Sequence, residues 1–341
     1  FSAVEAKLEE AAALLAEVLT ETSFDNRLRL RELLRQCAVK MEQGIAGAGN
    51  SYAVTRVSAG VSVEGAVQEY TGGISCCRWL KETEKDFENR AQELIGELQE
   101  LAGKLFVSGR LTISVTGEED RACRALEKEL LPGLPRSERM EMRCGIQPWG
   151  LRKEGIVIPA GVSFAALGGS LLELGAPFSG SLHVAGRVIS LAYLWNAIRV
   201  QGGAYGAGLS LSDSGRACFH SYRDPGAARS LECYRQTGDF LRQFVGERPD
   251  LTGFIVGAVA EADPLLLPSR KGRTADGLYF KGETYASRCR RREELLSASV
   301  ENLATLEGAF RQLGETGGIC VIGSRQLLEE CGTELENIWA L

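Results

Sequence analysis

An arginine and a tyrosine in a glycine-rich segment are the residues of this sequence best suited to chemistry. Arg199 precedes Tyr205 by six positions, with Gly202, Gly203 and Ala204 between them. Glycines around a tyrosine let another backbone approach closely, and they leave the phenol and the guanidinium exposed on one surface. Such a pair presents two hydrogen-bond donors to an oxygen atom. The helix dipole alone also favours an arginine near a helix C-terminus, so a purely structural role stays open.

The histidines do not predict a metal site in this chain. The only two, His183 and His220, are too far apart to form the i, i+3 or i, i+4 pair of a helix-borne zinc site. His220 alternates with Phe219 along a predicted strand, and His183 lies near the start of a predicted helix. We expect ordinary structural or surface roles for both histidines.

A helix followed by two strands must position the arginine and the tyrosine. The helix is predicted to start at about Ser179 and to end at Gly202, where glycine cannot continue it. The side chains predicted on its buried face are Val184, Val188, Leu191, Trp195 and Ile198. Strands are predicted over 209–212 and 217–223. The second strand stops at Asp224, which can cap the next helix, and Pro225, which can start it.

An uncharged stretch over 155–172 is long enough to raise the question of a membrane span. Pro159 and several glycines make it a poor membrane helix, whereas Ile156, Val157 and Ile158 suit a buried strand. We therefore predict one core strand here and no association with a membrane.

The sequence contains a helix–strand–helix unit twice. In the first copy, leucines at helical spacing over 94–105 lead into 111–117, where apolar and polar residues alternate, and then into a helix. In the second copy, a similar helix over 303–313 leads into 319–322 and a helix from residue 326. Two copies indicate two related domains. The first lacks the strands that precede the second, so strand 111–117 would need partner strands from elsewhere.

The remaining segments complete an α+β prediction. Helices are predicted from Val4 to about Leu19 and from Ser23 or Asp25, either of which could cap the second helix. Helix is favoured over strand for 44–75. The proline- and arginine-rich stretch at 131–153 breaks all periodicity, which predicts domains at 1–131 and 154–341 with a linker at 132–153.

Composition excludes some functions and predicts a compartment. A net charge of −6, with 39 basic and 45 acidic residues, argues against a large nucleic-acid surface. The ten cysteines contain no CxxC pair and are interpreted as reduced, mostly buried thiols of an intracellular protein. The first residue is Phe1 and no signal peptide follows, which indicates a piece of a longer cytoplasmic protein; a preceding transit peptide would place it in an organelle matrix.

Several motifs together resemble one protein family. The densest is Tyr193-Leu-Trp-Asn-Ala-Ile-Arg-Val-Gln-Gly-Gly-Ala-Tyr-Gly206, and others are Ser170-Leu-Leu-Glu-Leu-Gly175, Ser221-Tyr-Arg-Asp-Pro225, Asp263-Pro-Leu-Leu-Leu-Pro268, Thr22-Ser-Phe-Asp25 and Leu111-Thr-Ile-Ser-Val-Thr-Gly117. They resemble the peptidase M16 superfamily, specifically its presequence-protease subfamily of zinc metallopeptidases. The resemblance spans nearly the whole chain.

The resemblance implies a half-enzyme. Such proteins have four related α+β domains in two halves, and the first half holds zinc through an inverted H-x-x-E-H motif. This chain has no such motif, so it resembles the second half, with its third domain truncated at the N-terminal side and its fourth complete. By motif position, Arg199 and Tyr205 would bind the substrate and its developing oxyanion, with Gly202, Gly203 and Ala204 also binding substrate. The zinc ligands, and thus the metal, would belong to the N-terminal half.

Two hypotheses follow from the resemblance. In the first, the chain is the C-terminal half of a zinc metallo-oligopeptidase that degrades short unfolded peptides and is inactive without its N-terminal half. In the second, it is a separate non-catalytic M16 subunit that binds substrate or has a structural role beside a zinc-bearing partner chain.

Overall fold

The computed structural model describes residues 1–117, 119–138 and 145–341, and its architecture is mixed α+β, as predicted. The chain groups into two compact units, each made of three stretches. The helical unit comprises Phe1–Gln36, Lys81–Gly145 and Leu265–Thr284, and the sheet unit comprises Cys37–Leu80, Ile146–Pro264 and Tyr285–Leu341. The domain boundaries predicted around 132–153 stay a prediction.

Helices dominate the first 129 residues. They are α1 Leu8–Glu21, α2 Arg27–Ser58, α3 Val63–Gly72, α4 Ile74–Lys85, α5 Phe87–Leu105 and α6 Glu119–Glu129, with short 3-10 turns at Glu5–Lys7, Ser108–Arg110 and Leu131–Gly133. The helix favoured over 44–75 is confirmed through most of that stretch. The cap of α2 is Asn26, whose Oδ1 accepts the Arg29 N–H at 3.0 Å, so the prediction of Ser23 or Asp25 is wrong.

The segment 111–117 is not a strand, in contrast to the prediction. Within the described part of the chain, no strand forms a ladder with it. Leu111 and Val115 instead pack against the apolar cluster of α1 and α6, and the Ser114 hydroxyl donates to Asp276 at 2.6 Å. The side chains are therefore accommodated by helices, while the backbone lacks the neighbours that define a strand.

A six-stranded sheet organises the sheet unit. Its strands are β1 Lys153–Val157, β2 Phe164–Ser170, β3 Gly206–Leu211, β4 Arg216–Tyr222, β5 Gly318–Gly323 and β6 Asn337–Ala340. Their order is β3-β4-β2-β5-β1-β6, with β1 parallel to β5 and β6 and the other pairs antiparallel. The uncharged stretch 155–172 thus contains two strands, not one, which lie on either side of β5. Among the described residues, no helix has the length and apolar character to cross a membrane.

Side chains from helices cover both faces of this sheet. The helices after β2 are α7 Gly180–Val188, a π-helix at Ile189–Val200, α8 Ala227–Arg235, α9 Thr237–Gly246, α10 Thr252–Ala262, α11 Pro268–Phe280, α12 Tyr285–Leu296, α13 Val300–Ala304, α14 Glu307–Thr316 and α15 Arg325–Glu329, with a 3-10 turn at Gly332–Glu334. One face buries Leu167 and Phe219 with α7, the π-helix and α14. The other buries Phe164 and Ile322 against Ile45 of α2.

A buried ion pair connects α2 to the sheet. The Arg56 guanidinium donates from Nε and Nη2 to the two carboxylate oxygens of Glu154 at 2.7 and 3.2 Å, and from Nη1 to Glu69 at 2.8 Å. Trp339 of β6 donates its Nε1–H to Glu154 at 3.0 Å. Burial acts to raise the pKa of Glu154, but the hydrogen bonds and charge of Arg56 outweigh burial, so that pKa is lowered. Removing one member of the Arg56–Glu154 pair would leave the charge of the other buried and uncompensated, which costs about 3–5 kcal/mol.

The cysteines match the expectation of reduced thiols. None of the nine described cysteines forms a disulfide, and Cys144 lies outside the described residues. The buried ones are Cys77, Cys218, Cys233, Cys320 and Cys331. Burial raises the pKa of Cys218 to about 12, which keeps that thiol protonated and unreactive at neutral pH.

Candidate functional site

The helix that carries Arg199 changes from α to π geometry before it reaches the site. It begins as predicted at Ser179, whose Oγ accepts a first-turn N–H at 3.1 Å. The π-helix Ile189–Val200 follows without a break, and at its end the Gln201 N–H bonds five residues back to Asn196 O at 3.0 Å. Long π-helical segments are rare and are frequently found at functional sites.

The wider helical turn moves two predicted core residues to the surface. Ile198 is buried as predicted, but Leu191 is 48% exposed and Trp195 is 40% exposed. A π-helix closes its hydrogen bonds one residue further along than an α-helix, so the apolar period lengthens. The buried positions of this segment are Ile189, Leu194 and Ile198. The predicted burial of Leu191 and Trp195 is therefore wrong.

Two glycines end the helix. A Cβ on Gly202 would lie 2.5 Å from the Ile198 carbonyl oxygen, and Gly203 has a left-handed φ of +80°, a region that favours glycine. The N–H groups of Gly203 and Ala204 bond to Arg199 O and Ile198 O, each at 3.1 Å. Both groups are thus committed to the helix end, and the Ala204 side chain is buried. Substrate binding by Gly202, Gly203 and Ala204 stays a prediction.

The structure brings the predicted arginine and tyrosine together. The Arg199 guanidinium carbon lies 5.3 Å from the centre of the Tyr205 ring and 4.1 Å from the centre of the Trp195 ring. Tyr205 is 65% exposed. In the described chain, no side chain or carbonyl accepts a hydrogen bond from the Arg199 guanidinium or the Tyr205 hydroxyl. Both donors are therefore available to an incoming oxygen atom.

Sequence reasoning missed the aromatic neighbours of this pair. Trp195 lies four residues before Arg199, a spacing that places the two side chains on one side of the helix and could have signalled the contact. The Tyr222 ring meets the Tyr205 ring edge to face, with 5.8 Å between their centres. The Tyr205 N–H donates to Tyr222 O at 3.0 Å, so the backbone of β4 holds Tyr205 in place.

A buried aspartate secures the end of β4. Asp224 is 1% exposed, its Oδ1 accepts the Gly226 N–H at 2.9 Å, and its Oδ2 accepts the Ser230 hydroxyl at 2.6 Å. The predicted start of the next helix at Pro225 is wrong, because α8 begins at Ala227 with Gly226 at its cap. Asp224 still binds the first turn of α8 and so fixes the strand end beside Tyr222.

The described residues offer no cluster that fits a zinc ion. His183 Nε2 lies 3.2 Å from Glu261, whose other oxygen pairs with Arg187 at 2.7 Å. His220 belongs to β4, and burial lowers its pKa. No group of three histidine, cysteine, aspartate or glutamate side chains in the described ranges has a geometry that could hold a metal.

Family comparisons agree with this architecture. A family model described as the PreP C-terminal domain matches residues 153–311, and one described as the associated region of peptidase M16 subfamily C matches residues 1–82. The first match contains the π-helix, the glycine-rich turn and strands β1 to β4.

Curated relatives match nearly the whole chain. Protein HypA of Clostridium perfringens is 27% identical over 99% of this chain and 35% of its own length. Presequence protease 1, chloroplastic/mitochondrial, of Arabidopsis thaliana is 28% identical over 94% of this chain and 30% of its own length. The chain thus spans about a third of the length of these relatives.

Solved structures share the fold. The peptidase M16 inactive domain from Pseudomonas fluorescens has a TM-score of 0.55 at 14% identity, covering 94% of this chain and 75% of that chain. Pitrilysin has a TM-score of 0.56 at 13% identity, covering 98% of this chain and 36% of that chain. The two family models and the curated relatives together support the presequence protease-like subfamily of the M16 peptidases as the family of this chain, with the chain corresponding to the C-terminal half.

Proposed function

We propose that this chain is the C-terminal half of a zinc metallo-oligopeptidase, in which Arg199 and Tyr205 bind the substrate and stabilise the oxyanion that forms at the scissile carbonyl. The observation that carries the proposal is the pairing of the two side chains, 5.3 Å apart, with their donors unengaged in the described chain and Tyr205 exposed. The peptidase family of the chain supports the assignment of this geometry to peptide cleavage.

The two side chains act through hydrogen bonds that strengthen as the reaction proceeds. The Arg199 N–H groups and the Tyr205 hydroxyl donate to a carbonyl oxygen, whose negative charge grows as the carbon becomes tetrahedral. The charge of the guanidinium favours the oxyanion over the neutral carbonyl. Loss of either donor should therefore lower turnover more than it weakens substrate binding. A single donor of this kind contributes about 10²- to 10³-fold to turnover.

The zinc of the proposed enzyme belongs to the N-terminal half, with its H-x-x-E-H ligands, since the described residues of this chain offer no ligand set. Alone, this chain is expected to be inactive. Its expected substrates are short unfolded peptides. A cytoplasmic location stays a prediction, and the mitochondrial and chloroplastic relatives favour an organelle matrix as the alternative.

Tyr205→Phe in the full-length protein tests the proposal. We expect kcat on a fluorogenic unstructured peptide to fall about 10²-fold, because one oxyanion donor is lost. Zinc content and melting temperature should stay unchanged, since the exposed hydroxyl has no partner within the described chain. Tyr279→Phe is the matched control, because Tyr279 is 72% exposed and lies on α11. Unchanged kcat in Tyr205→Phe would overturn the catalytic role of Tyr205.

The metal assignment has its own test. Purified without any N-terminal half, this chain should contain no stoichiometric zinc by elemental analysis and should not hydrolyse the peptide. Stoichiometric zinc together with turnover from this chain alone would contradict the half-enzyme proposal.

A further inference from the structure

The proposed pair is the middle of a longer row of stacked side chains. Trp195 contacts the Arg199 guanidinium at 4.1 Å, that guanidinium contacts Tyr205 at 5.3 Å, and the Tyr205 ring contacts Tyr222 at 5.8 Å. Trp195 contributes little to the core, since it is 40% exposed. Its contact with the guanidinium therefore needs an explanation other than packing.

Ring contacts suit an arginine whose donors must stay free. A flexible side chain such as arginine loses much rotamer entropy when it is held in one position. A carboxylate partner would hold Arg199 by occupying its N–H groups. A ring instead attracts the face of the planar guanidinium, and the N–H groups, which lie in the plane, remain available.

The opposite end of the row is fixed to α2. The Tyr222 hydroxyl donates to Gly47 O at 3.1 Å, beside Ala48, where the helix departs from helical geometry with φ −138° and ψ 42°. Such a break frees carbonyl groups that would otherwise accept helical hydrogen bonds. Tyr222 is thereby held by its backbone in β4 and by its hydroxyl on α2, and its ring gives Tyr205 a fixed neighbour.

We infer that Trp195 and Tyr222 are positioning residues of the peptidase reaction: Trp195 holds Arg199, and Tyr222 holds Tyr205, in the orientation that meets the substrate oxygen. Neither residue touches the reacting atoms. The inference rests on the proposed function, because it assigns a purpose to the orientation of the same two donors.

Trp195→Leu in the full-length protein tests the first half of the inference. We expect kcat to fall about tenfold, as for the loss of a partly desolvated cation–π contact, while KM changes less than threefold. Trp195→Phe should restore most of kcat, since it keeps an aromatic face. Trp79→Leu is the matched control, because Trp79 is 41% exposed in α4, and it should leave kcat unchanged. If Trp195→Leu does not fold, Trp195→Met takes its place.

A double-mutant cycle separates positioning from a general structural role. If Trp195 acts through Arg199, Trp195→Leu should reduce kcat no further once Arg199→Gln is present. If the kcat of the double variant instead fell by the product of the two single reductions, the inference would be overturned. An unchanged kcat in Arg199→Gln itself would instead overturn the proposed function. A low kcat in Arg199→Gln with a normal kcat in Trp195→Leu would overturn the inference alone.

Tyr222 is tested by two variants that differ in the ring. Tyr222→Phe keeps the edge-to-face contact and loses only the hydrogen bond to Gly47, so we expect a loss of kcat of less than threefold. Tyr222→Leu loses both, and its kcat should fall about tenfold, in line with the energy of an aromatic pair. Equal kcat in the two variants would show that the ring does not position Tyr205.

Discussion

Residues 318–323 and residues 111–117 each follow a helix and precede another helix, yet only 318–323 form a strand. β5 lies between β2 and β1, which pair with it on both sides. The described chain offers no strand to 111–117, whose Leu111 and Val115 pack against helices. Apolar residues between two helices therefore do not specify a strand by themselves, because a strand also depends on neighbours that supply hydrogen bonds.

The largest expected effect is the difference in stability loss when an aspartate replaces an apolar residue in each of the two segments. Val321 of β5 is fully buried, whereas Ile113 is 43% exposed. Val321→Asp should lower the free energy of unfolding of the sheet unit by on the order of 4 kcal/mol or prevent its folding, because the carboxylate has no partner there. Ile113→Asp should change stability by less than about 0.5 kcal/mol, as at other surface positions.

Urea unfolding followed by tryptophan fluorescence measures the first variant, because all four tryptophans belong to the sheet unit. Hydrogen exchange of helical-unit peptides measures the second. Similar losses from the two substitutions would show that 111–117 is packed as tightly as β5, and would contradict the comparison.

A smaller difference is expected in the response to pH. Both histidines lie in the sheet unit, and burial lowers the pKa of His220 below its ordinary value of 6.5. The unfolded state therefore binds more protons just below pH 6.5, so the sheet unit should lose stability as pH falls through that window. The helical unit contains no histidine to produce this loss.

His220→Gln should make the free energy of unfolding of the sheet unit less dependent on pH between 7 and 5. Urea unfolding at each pH measures this free energy. The helical unit, followed by hydrogen exchange in the same samples, is the control, because it contains no histidine. A slope that survives His220→Gln would show that another group carries the proton linkage.

The smallest effect concerns the helix that 111–117 contacts. A Cβ added to Gly272 of α11 would collide with the Thr116 hydroxyl, whereas one added to Gly277 would meet nothing within 4 Å. Alanine is favoured over glycine inside a helix by about 1 kcal/mol. Gly277→Ala should therefore stabilise α11 with or without Thr116→Gly. Gly272→Ala should give this gain only with Thr116→Gly, because the Cβ of Thr116 would itself lie 2.9 Å from the added carbon. The gains are measured by hydrogen exchange, and an equal gain in both backgrounds would contradict the packing described.

Much of the fold is predictable from local pattern, but the strand pairing is not. The helices at 8–21, 87–105 and 180–188 follow from apolar spacing and a cap at Ser179. The stretch 155–172 contains two strands because Pro159 and Gly161 interrupt it. The absence of charged residues gives no sign of this interruption. That its two strands flank β5 depends on residues more than 140 positions away, and local periodicity carries no information about this pairing.

The two donors of the site could be predicted from the sequence, but the residues that hold these donors in place could not. The glycines after Arg199 predicted a helix end that presents Arg199 and Tyr205 together. The burial predicted for Leu191 and Trp195 assumed an α-helical period, and the π-helix changes that period. Because tertiary packing sets the helix type, the exposure of Trp195 beside Arg199 could not be derived from spacing alone.

The buried Arg56–Glu154 pair also constrains when the sheet unit can mature during synthesis. Trp339, which completes the hydrogen bonds of Glu154, follows it by 185 residues. At about 5–20 residues per second, a ribosome needs roughly 10–40 s to make that stretch. For most of this interval β1 lacks both of its neighbours, since β5 and β6 are synthesised long after it. The sheet unit therefore cannot complete its fold before β6 has been synthesised.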